Sequence, residues 1–587
     1  APNANIARHL SAMAAAQPAR VALKIPRGRT ATGDIDYLSL TFAELDAEVS
    51  AWSARLTSAG VRRGDRTLVM VRQGLPLIAS AFALFRLGAV PVIIDPGMGR
   101  KNFLACVASS RPRALVGIPL ARLFSRLFRR AFASVQIRVP ASSSLTARLG
   151  SADQPSAFSS QLSDPDSQLS TPGSQLVNST AADPAAVLFT SGSTGAPKGV
   201  CYEHGMFDAQ VRLIREAYAI EPGEIDLPLL PIFALFNPAL GMTTIVPEID
   251  PRRPADVDPA KIVQAIRQEK VTNSFGSPTL WKKIGAHCLA QNLALSSLRR
   301  VLCAGAPVPA ALWQSSRTFL PHGQLHSPYG ATEALPVATI SAVEIAALAP
   351  PSGPTHFNVS RENGADGSDP RAVGVPAPGG ACVGRPVAEI EIKIIAITDA
   401  PIATFADARE LPSGEIGEIV VRGPVVTKLY DAQPRATAAA KIAGDDGEVW
   451  HRMGDCGRLD AGGRLWFCGR KAERVETAAG TLFTEPCEQV FRAHPRVARC
   501  ALIGLGEPGR QRTAIVVEIK LADSAQCRAL ARELRLLALE REHTQTIRIF
   551  YFREKFPVDV RHNAKIHRLA LARWATTAKG FESDPKR

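Results

Sequence analysis

Hydrophobic positions along this chain switch repeatedly between a helical and a strand period. Apolar residues recur every three or four positions from Leu40 to Gly60, which predicts an amphipathic helix with Thr41 as its N-cap and Gly60 as its stop. Arg66–Val71 reads as a short strand, Leu77–Leu87 as an apolar helix, and Ala89–Ile94 as a buried strand that ends in the turn Asp95-Pro96-Gly97. The same rhythm returns with a helix at Lys261–Gln268 and strands at Val271–Phe275 and Val301–Cys303. Strand, helix, strand at this spacing predicts an α/β protein with parallel layering.

Two stretches break the rhythm. Ala141–Asp183 is rich in Ser, Pro, Gln and Asp, and Ala349–Gly380 in Pro and Gly; both are expected to be mobile surface insertions. After Gly469-Arg470 the pattern changes. Strands at Ala498–Gly504 and Thr513–Lys520 and a long helix at Ala525–Glu542 predict a small α+β domain, residues 470–587, joined by a hinge to a large domain, residues 1–469. With 587 residues, at least two domains are expected.

One segment is two-faced in another way. In Arg122–Phe132, Leu123, Phe124, Leu127, Phe128 and Phe132 share one face, and Arg122, Arg126, Arg129 and Arg130 lie mainly on the other. Such a helix either rests on an anionic membrane or turns its apolar face to the core and its basic face to water. Charge sharpens the choice of partners: Lys and Arg number 69 against 54 Asp and Glu, a net charge of +15, which suits an anionic ligand or surface.

Other classes are excluded. The ten cysteines include no CxxC, and the closest pair, Cys456 and Cys468, is far from metal or disulfide-framework spacing; free thiols in the cytoplasm are expected. The N-terminus has no apolar core of a signal peptide, and the longest apolar run, Leu77–Phe85, is too short to span a bilayer. His204, His287, His494 and His562 show no metal spacing and are expected to be structural or exposed. Gly504-Leu-Gly506-Glu-Pro-Gly509 fits a dinucleotide fingerprint, but a β-type run follows it instead of a helix, so a strand connection is expected.

The strongest chemical signal is Leu188-Phe-Thr-Ser-Gly-Ser-Thr-Gly-Ala-Pro-Lys-Gly-Val200. An apolar strand feeds a loop in which glycines let backbone N–H groups approach an anion, and hydroxyls add donors. Thr190, Ser191, Gly192, Ser193, Thr194 and Gly195 are the candidate phosphate cradle, and Lys198 brings a mobile positive charge. Pro197 before that lysine excludes the Walker pattern.

This loop resembles the signature of the acyl-adenylate-forming superfamily, which includes acyl-CoA synthetases, nonribosomal adenylation domains and luciferases. Further motifs follow in that superfamily's order. Gly305, Ala306 and Pro307 match the segment that lines adenine. In Tyr329-Gly-Ala-Thr-Glu333, the resemblance implies that Tyr329 stacks on adenine, Thr332 bonds the α-phosphate and Glu333 holds Mg²⁺. Asp455, in Arg452-Met-Gly-Asp-Cys-Gly457, matches the acceptor of the ribose hydroxyls, and Arg470 the arginine before the hinge. Lys565, in Pro557-Val-Asp-Val-Arg-His-Asn-Ala-Lys565, matches the late catalytic lysine. The implied cofactors are ATP and Mg²⁺, and the implied reaction is attack of a carboxylate on the α-phosphorus, giving acyl-AMP and pyrophosphate.

Five segments are most similar to one branch, the β-lactone synthetases of bacterial long-chain olefin biosynthesis: Ile94–Gly99, Leu230–Gly241, Asn273–Pro278, Gly469–Thr477 and Thr484–Cys487. That resemblance implies a 2-alkyl-3-hydroxyalkanoic acid as substrate, whose own 3-hydroxyl closes a four-membered lactone and expels AMP. Phe233, Phe236, Met242 and Phe275 are candidate walls of the acyl pocket, with plain core as the alternative. Two departures from the wider superfamily stand out. Ala234 replaces a histidine common in its motif, and Ala472 replaces a polar hinge residue, which favours a branch that does not use CoA. A long-chain acyl-CoA or acyl-AMP ligase is the alternative enzyme. A basic membrane- or complex-binding protein with a degenerate adenylation site is the alternative of another class. The resemblance also implies assembly with a pathway hydrolase and reductase; no nucleic-acid partner is expected.

Overall fold

The computed structural model describes residues 3–141, 176–190, 197–250, 256–348, 379–558 and 565–583. Most of the two expected insertions lies outside the described residues, as do Ser191, Gly192, Ser193, Thr194, Gly195 and His562.

The early strand–helix rhythm builds a six-stranded sheet. Its order is Ile137–Pro140, Ala114–Gly117, Arg66–Met70, Val90–Ile94, Pro184–Thr190 and Lys198–Glu203. All neighbours are parallel except the last pair. Helix Phe42–Ser58 carries the expected cap, a capping box between Thr41 and Glu44, while Leu40 belongs to the preceding strand Ile35–Thr41. Trp52, Phe42 and Phe82 of that helix and of helix Leu75–Arg86 are fully buried in one core.

A second, fourteen-stranded sheet changes character halfway. Strands Thr243–Ile245, Ile225–Asp226, Asn273–Gly276, Arg300–Cys303 and Gln324–Ala331 run parallel. From Ala334–Ser341 onward the pairing is antiparallel, through Ala381–Pro386, Leu465–Arg470, Val449–Leu459, Gly417–Arg422 and Glu391–Ile395. Loops beyond the carboxyl ends of parallel strands are where open α/β sheets bind ligands, and the candidate motifs cluster at this transition.

The small C-terminal part is α+β, as its pattern predicts. Strands Cys500–Leu505, Arg512–Glu518, Ile549–Arg553 and Phe581–Glu582 form a separate sheet with helices Thr484–Arg492, Ser524–Leu539 and Arg568–Ala575. Phe491 and Phe550 meet edge to face in its core. The GxGxxG-like segment is a turn between two antiparallel strands, with Gly504 opposite Thr513. All ten cysteines are free thiols. Among the described residues no helix is long and apolar enough to cross a membrane, and no His/Cys/Asp/Glu cluster can hold a metal ion by itself. His204 is buried and accepts from the Ile6 amide at 3.2 Å, a structural role.

The basic segment differs from its expected form. The helix spans Pro119–Leu127, and its apolar residues divide between two directions. Phe124, Phe128 and Phe132 pack inward, whereas Leu123 and Leu127 face solvent with Leu120. Ala121 and Ser125 sit on the buried side, so the helix rolls about that small-residue strip and carries the leucines outward.

Candidate active site

Strand Pro184–Thr190 enters the Ser/Gly loop and strand Lys198–Glu203 leaves it, with Thr190 opposite Lys198. The stem is clamped from one side. The Asp431 amide donates to the Gly199 carbonyl at 2.7 Å, and Gln433 Nε2 donates to the Pro197 carbonyl at 3.1 Å. Gly199 is required by that closeness: an added Cβ would lie 2.9 Å from the Phe189 ring. Lys198 Nζ sits 4.8 Å from the centre of the Tyr430 ring, a cation–π contact.

Tyr430 links this stem to the second motif. Its hydroxyl donates to Glu333 Oε1 at 2.8 Å. Glu333 and Thr332 lie on the tight connection between strands Gln324–Ala331 and Ala334–Ser341. That connection is held at its backbone too. The Thr427 amide donates to the Glu333 carbonyl at 2.9 Å, and the Tyr202 hydroxyl donates to the Thr332 carbonyl. Lys441 Nζ, buried, donates to the Thr427 carbonyl and hydroxyl. Burial pulls Lys441 down to about 7, against the opposing pull of the Glu333 charge.

Gly305, Ala306 and Pro307 follow strand Arg300–Cys303 at its carboxyl end; Gly305 has φ +94° and is exposed. Tyr329, on the neighbouring parallel strand Gln324–Ala331, donates its hydroxyl to Asp455 Oδ2 at 2.7 Å. Asp455 and Arg470 stand directly opposite each other on adjacent antiparallel strands, with Arg470 Nη1 2.8 Å from Asp455 Oδ1. Burial raises the Asp455 carboxyl, and the positive charges of Arg470 and Lys565 pull it back down. Lys565 itself is half-buried, three residues before helix Arg568–Ala575 of the C-terminal part.

The four residues proposed for the acyl pocket line one cavity. Phe233 and Phe275 stack with ring centres 3.5 Å apart, Phe236 is 6.2 Å from Phe233, and Met242 closes the wall. Pro328 and Leu335 bring this cavity beside the Tyr329–Glu333 motif. Its open volume is about 50 Å³. Ligand pockets hold roughly 300–1,000 Å³, so the cavity as it stands is smaller than a typical ligand site, and the Phe233–Phe275 stack is one of its walls. Asp226 and Asn237 are polar groups in this apolar lining, and Asn237 Nδ2 donates to Asp226 Oδ2 at 2.9 Å. Burial pushes the Asp226 carboxyl up to about 7. A larger cavity, about 330 Å³, lies at the far end of the loop-bearing strands. Its cations Arg63, Arg66 and Lys428 are paired with Asp183, Asp431 and Glu203, so it offers no free charge to an anion.

The structure thus brings Lys198, Thr332 and Glu333 to one group and Tyr329, Asp455 and Arg470 to another. Tyr430, Lys441, Thr427 and Asp226 belong to the site and were not singled out by sequence. One of them left a signal: Lys441 is a lone cation in the apolar run Ala438-Ala-Ala-Lys-Ile442.

The sequence model of the AMP-binding enzymes matches residues 10–431. The chain is 42% identical to the olefin β-lactone synthetase of Xanthomonas campestris pv. campestris, over 97% of each chain. It is also 42% identical to that of Stenotrophomonas maltophilia, over 97% of this chain and 98% of the other. An amide bond synthetase of Marinactinospora thermotolerans superposes with a TM-score of 0.72 at 23% identity, covering 98% of this chain and all of the other, which shows a shared fold. The chain belongs to the AMP-binding enzyme family, in the branch of the olefin β-lactone synthetases.

Proposed function

We propose that this chain activates a long-chain 2-alkyl-3-hydroxyalkanoic acid with ATP and then closes it to a β-lactone. In the first half-reaction a carboxylate oxygen bonds to the α-phosphorus of ATP and pyrophosphate leaves. Two anions must approach each other, so positive charge and hydrogen-bond donors dominate the catalysis. Thr190, Ser191, Gly192, Ser193, Thr194, Gly195 and Lys198 hold the phosphates, Thr332 donates to the α-phosphate, and Lys565 neutralises charge at the reacting oxygens. Asp455 accepts the ribose hydroxyls beside Arg470, and Gly305, Ala306, Pro307 and Tyr329 flank the adenine. Glu333, a hard carboxylate held by Tyr430, fits Mg²⁺, which supplies Lewis-acid stabilisation of the phosphates.

In the second half-reaction the 3-hydroxyl oxygen bonds to the acyl carbon, the bond from that carbon to the AMP oxygen breaks, and AMP and a proton leave. The pocket's contribution is to hold the hydroxyl against the carbonyl and to keep water from the adenylate. Phe233, Phe236, Met242 and Phe275 form its apolar walls. Residues 470–587 act as the lid that carries Lys565. Ala472, exposed at the hinge, offers no polar side chain for the rotation that thioester formation uses, so CoA is not a substrate in this reading. Assembly with a hydrolase and a reductase of the same pathway belongs to the same reading.

The observation that supports the proposal is the hydrogen bond from the Tyr329 hydroxyl to Asp455, which stands opposite Arg470 at 2.8 Å, so that an aromatic ring, a ribose acceptor and the arginine before the hinge meet at one place. Lys565→Ala is expected to abolish nearly all pyrophosphate release while ATP still binds; unchanged release would overturn the first half. For the second, the enzyme is incubated with ATP, Mg²⁺ and a 3-hydroxy acid, with and without CoA. A neutral lactone formed without CoA supports the reading. A thioester formed only with CoA replaces it with an acyl-CoA ligase.

A further inference from the structure

The helix Pro119–Leu127 carries a surface that adenylation does not use. Leu120, Leu123 and Leu127 are exposed at 71%, 63% and 74%, the three most exposed large hydrophobic side chains among the described residues. Their spacing, three and then four residues, places them in one stripe on one helix face. They are not needed to hold the helix. Its anchoring falls to Ala121 and Ser125, both buried, and to Phe124, which packs at 6.2 Å from Phe103, 4.5 Å from Phe128 and 6.0 Å from Phe132. Scattered exposed leucines need no explanation, but three aligned on one short helix form an apolar strip that water disfavours.

The charge beside that strip has one sign. Arg126, Arg129 and Arg130 are exposed and Arg122 is half-buried. At about 100° per residue, Arg122 and Arg126 lie on the flank of the leucine stripe opposite Phe124. No acidic residue occurs between Asp95 and Asp153. No carboxylate of this stretch therefore neutralises the arginines.

We propose that this face docks on the surface of an anionic lipid bilayer, with Leu120, Leu123 and Leu127 inserted at the boundary between headgroups and acyl chains and the arginines on lipid phosphates. The match is one of order. An amphipathic helix binds a bilayer with its apolar residues roughly 5–10 Å deep and its basic residues at headgroup level. Here the leucines project and the arginines flank them. Each Lys or Arg near an anionic surface adds about 1 kcal/mol of attraction, which salt screens. A protein partner would have to supply an apolar groove and an acidic rim together, whereas an anionic bilayer supplies both. The inference stands independently of the acid the enzyme activates.

The test is co-sedimentation of the full chain with vesicles of phosphatidylglycerol mixed with phosphatidylcholine, and with vesicles of phosphatidylcholine alone. Two combined variants are compared with the wild type. One is Leu120→Gln with Leu123→Gln and Leu127→Gln; the other is Arg126→Gln with Arg129→Gln and Arg130→Gln. Binding is expected to the anionic vesicles, to weaken with salt, and to fall about tenfold or more in each variant. ATP–pyrophosphate exchange with a water-soluble acid is expected to stay unchanged in both. Absence of wild-type binding, equal binding to neutral vesicles, or a leucine variant that binds like wild type would overturn the proposal. So would a wild-type chain that sediments as a dimer and a leucine variant that sediments as a monomer with vesicle binding intact, because the face would then belong to a second copy of the chain.

Discussion

Tyr430 donates its hydroxyl to Glu333 Oε1 at 2.8 Å, across 97 positions of sequence. The same ring lies under Lys198, so one tyrosine fixes the distance between the loop's lysine and the carboxylate assigned to Mg²⁺. Tyr430→Phe keeps the ring and removes only the hydroxyl. A hydrogen bond to a charged group is worth about 1.5–3 kcal/mol, so ATP–pyrophosphate exchange is expected to fall roughly tenfold or more. The Mg²⁺ concentration for half-maximal rate is expected to rise, while the thermal midpoint moves little. Titrating Mg²⁺ at saturating ATP reads this out; an unchanged Mg²⁺ requirement would separate Tyr430 from the metal.

Asp226 gives the acyl pocket a pH dependence. Burial raises its carboxyl to about 7, partly offset by the bond from Asn237, with the Glu224 charge pushing the same way as burial. The folded protein thus holds this proton more tightly than the unfolded chain, where 3.8 is the ordinary value. The stability it contributes is full below that ordinary value and is lost as pH rises through about 7. The lining is neutral below that point and carries a buried charge above it. KM for the acid is therefore expected to rise as pH passes 7, and Asp226→Asn is expected to flatten the rise. Steady-state KM across pH 6–8 (about one unit either side of the titration) checks this. A wild-type profile that matches the asparagine variant would show that Asp226 stays in one state.

The stacked pair Phe233 and Phe275 closes a cavity of about 50 Å³. Phe233 is half-buried, so truncating it opens space at less cost than removing the buried Phe275. Phe233→Ala is expected to raise kcat/KM for bulkier 2-alkyl acids relative to short ones. Competition between two acids of different 2-alkyl length measures the ratio; an unchanged ratio would show that the stack does not limit entry.

Which of these features could be read in the chain follows from how far each depends on packing. Glycines and hydroxyls around an anion, or Tyr329 through Glu333 around a nucleotide, must sit in short contiguous runs, so local sequence exposes them. Asp455 and Arg470 were legible through their motifs, although their cross-strand pairing was not. Tyr430 and Lys441 carry no local signature, because their roles arise where distant strands meet. The helix Pro119–Leu127 shows the limit of periodicity. A broad apolar stripe is evident, but Leu123 and Phe132 lie on its two margins, and only the packing of Phe124 against Phe103 and Phe132 decides which margin faces the core. Strand boundaries behaved likewise: Leu40 suits a helix by pattern and is taken by the sheet.

Arg568 provides the last test, because it connects the catalytic lysine's segment to the hinge. It lies three residues after Lys565 and is half-buried, whereas its partners Glu473 and Glu488 are buried. Its Nε and Nη2 donate to Glu488 Oε1 and Oε2 at 2.7 and 2.8 Å, and its Nη1 donates to Glu473 Oε2 at 2.9 Å. Glu473 itself lies three residues after Arg470, on the short helical turn Lys471–Glu473. One planar guanidinium thus ties the approach of Lys565 to the turn about which the C-terminal part would rotate. Lysine cannot reproduce that fork, since its ammonium is a single point of charge. Arg568→Lys is expected to keep the fold and to lower kcat for adenylation about tenfold or more, with the Kd for ATP nearly unchanged, because Arg568 bonds Glu488 and Glu473 and not the residues assigned to the nucleotide. Arg568→Ala is expected to do more: removing one partner of a buried ion pair costs about 3–5 kcal/mol, so the C-terminal part should melt first and separately. Pre-steady-state pyrophosphate release, ATP binding and calorimetry on both variants separate the two effects. A lysine variant with full kcat would show that Lys565 is positioned by other contacts.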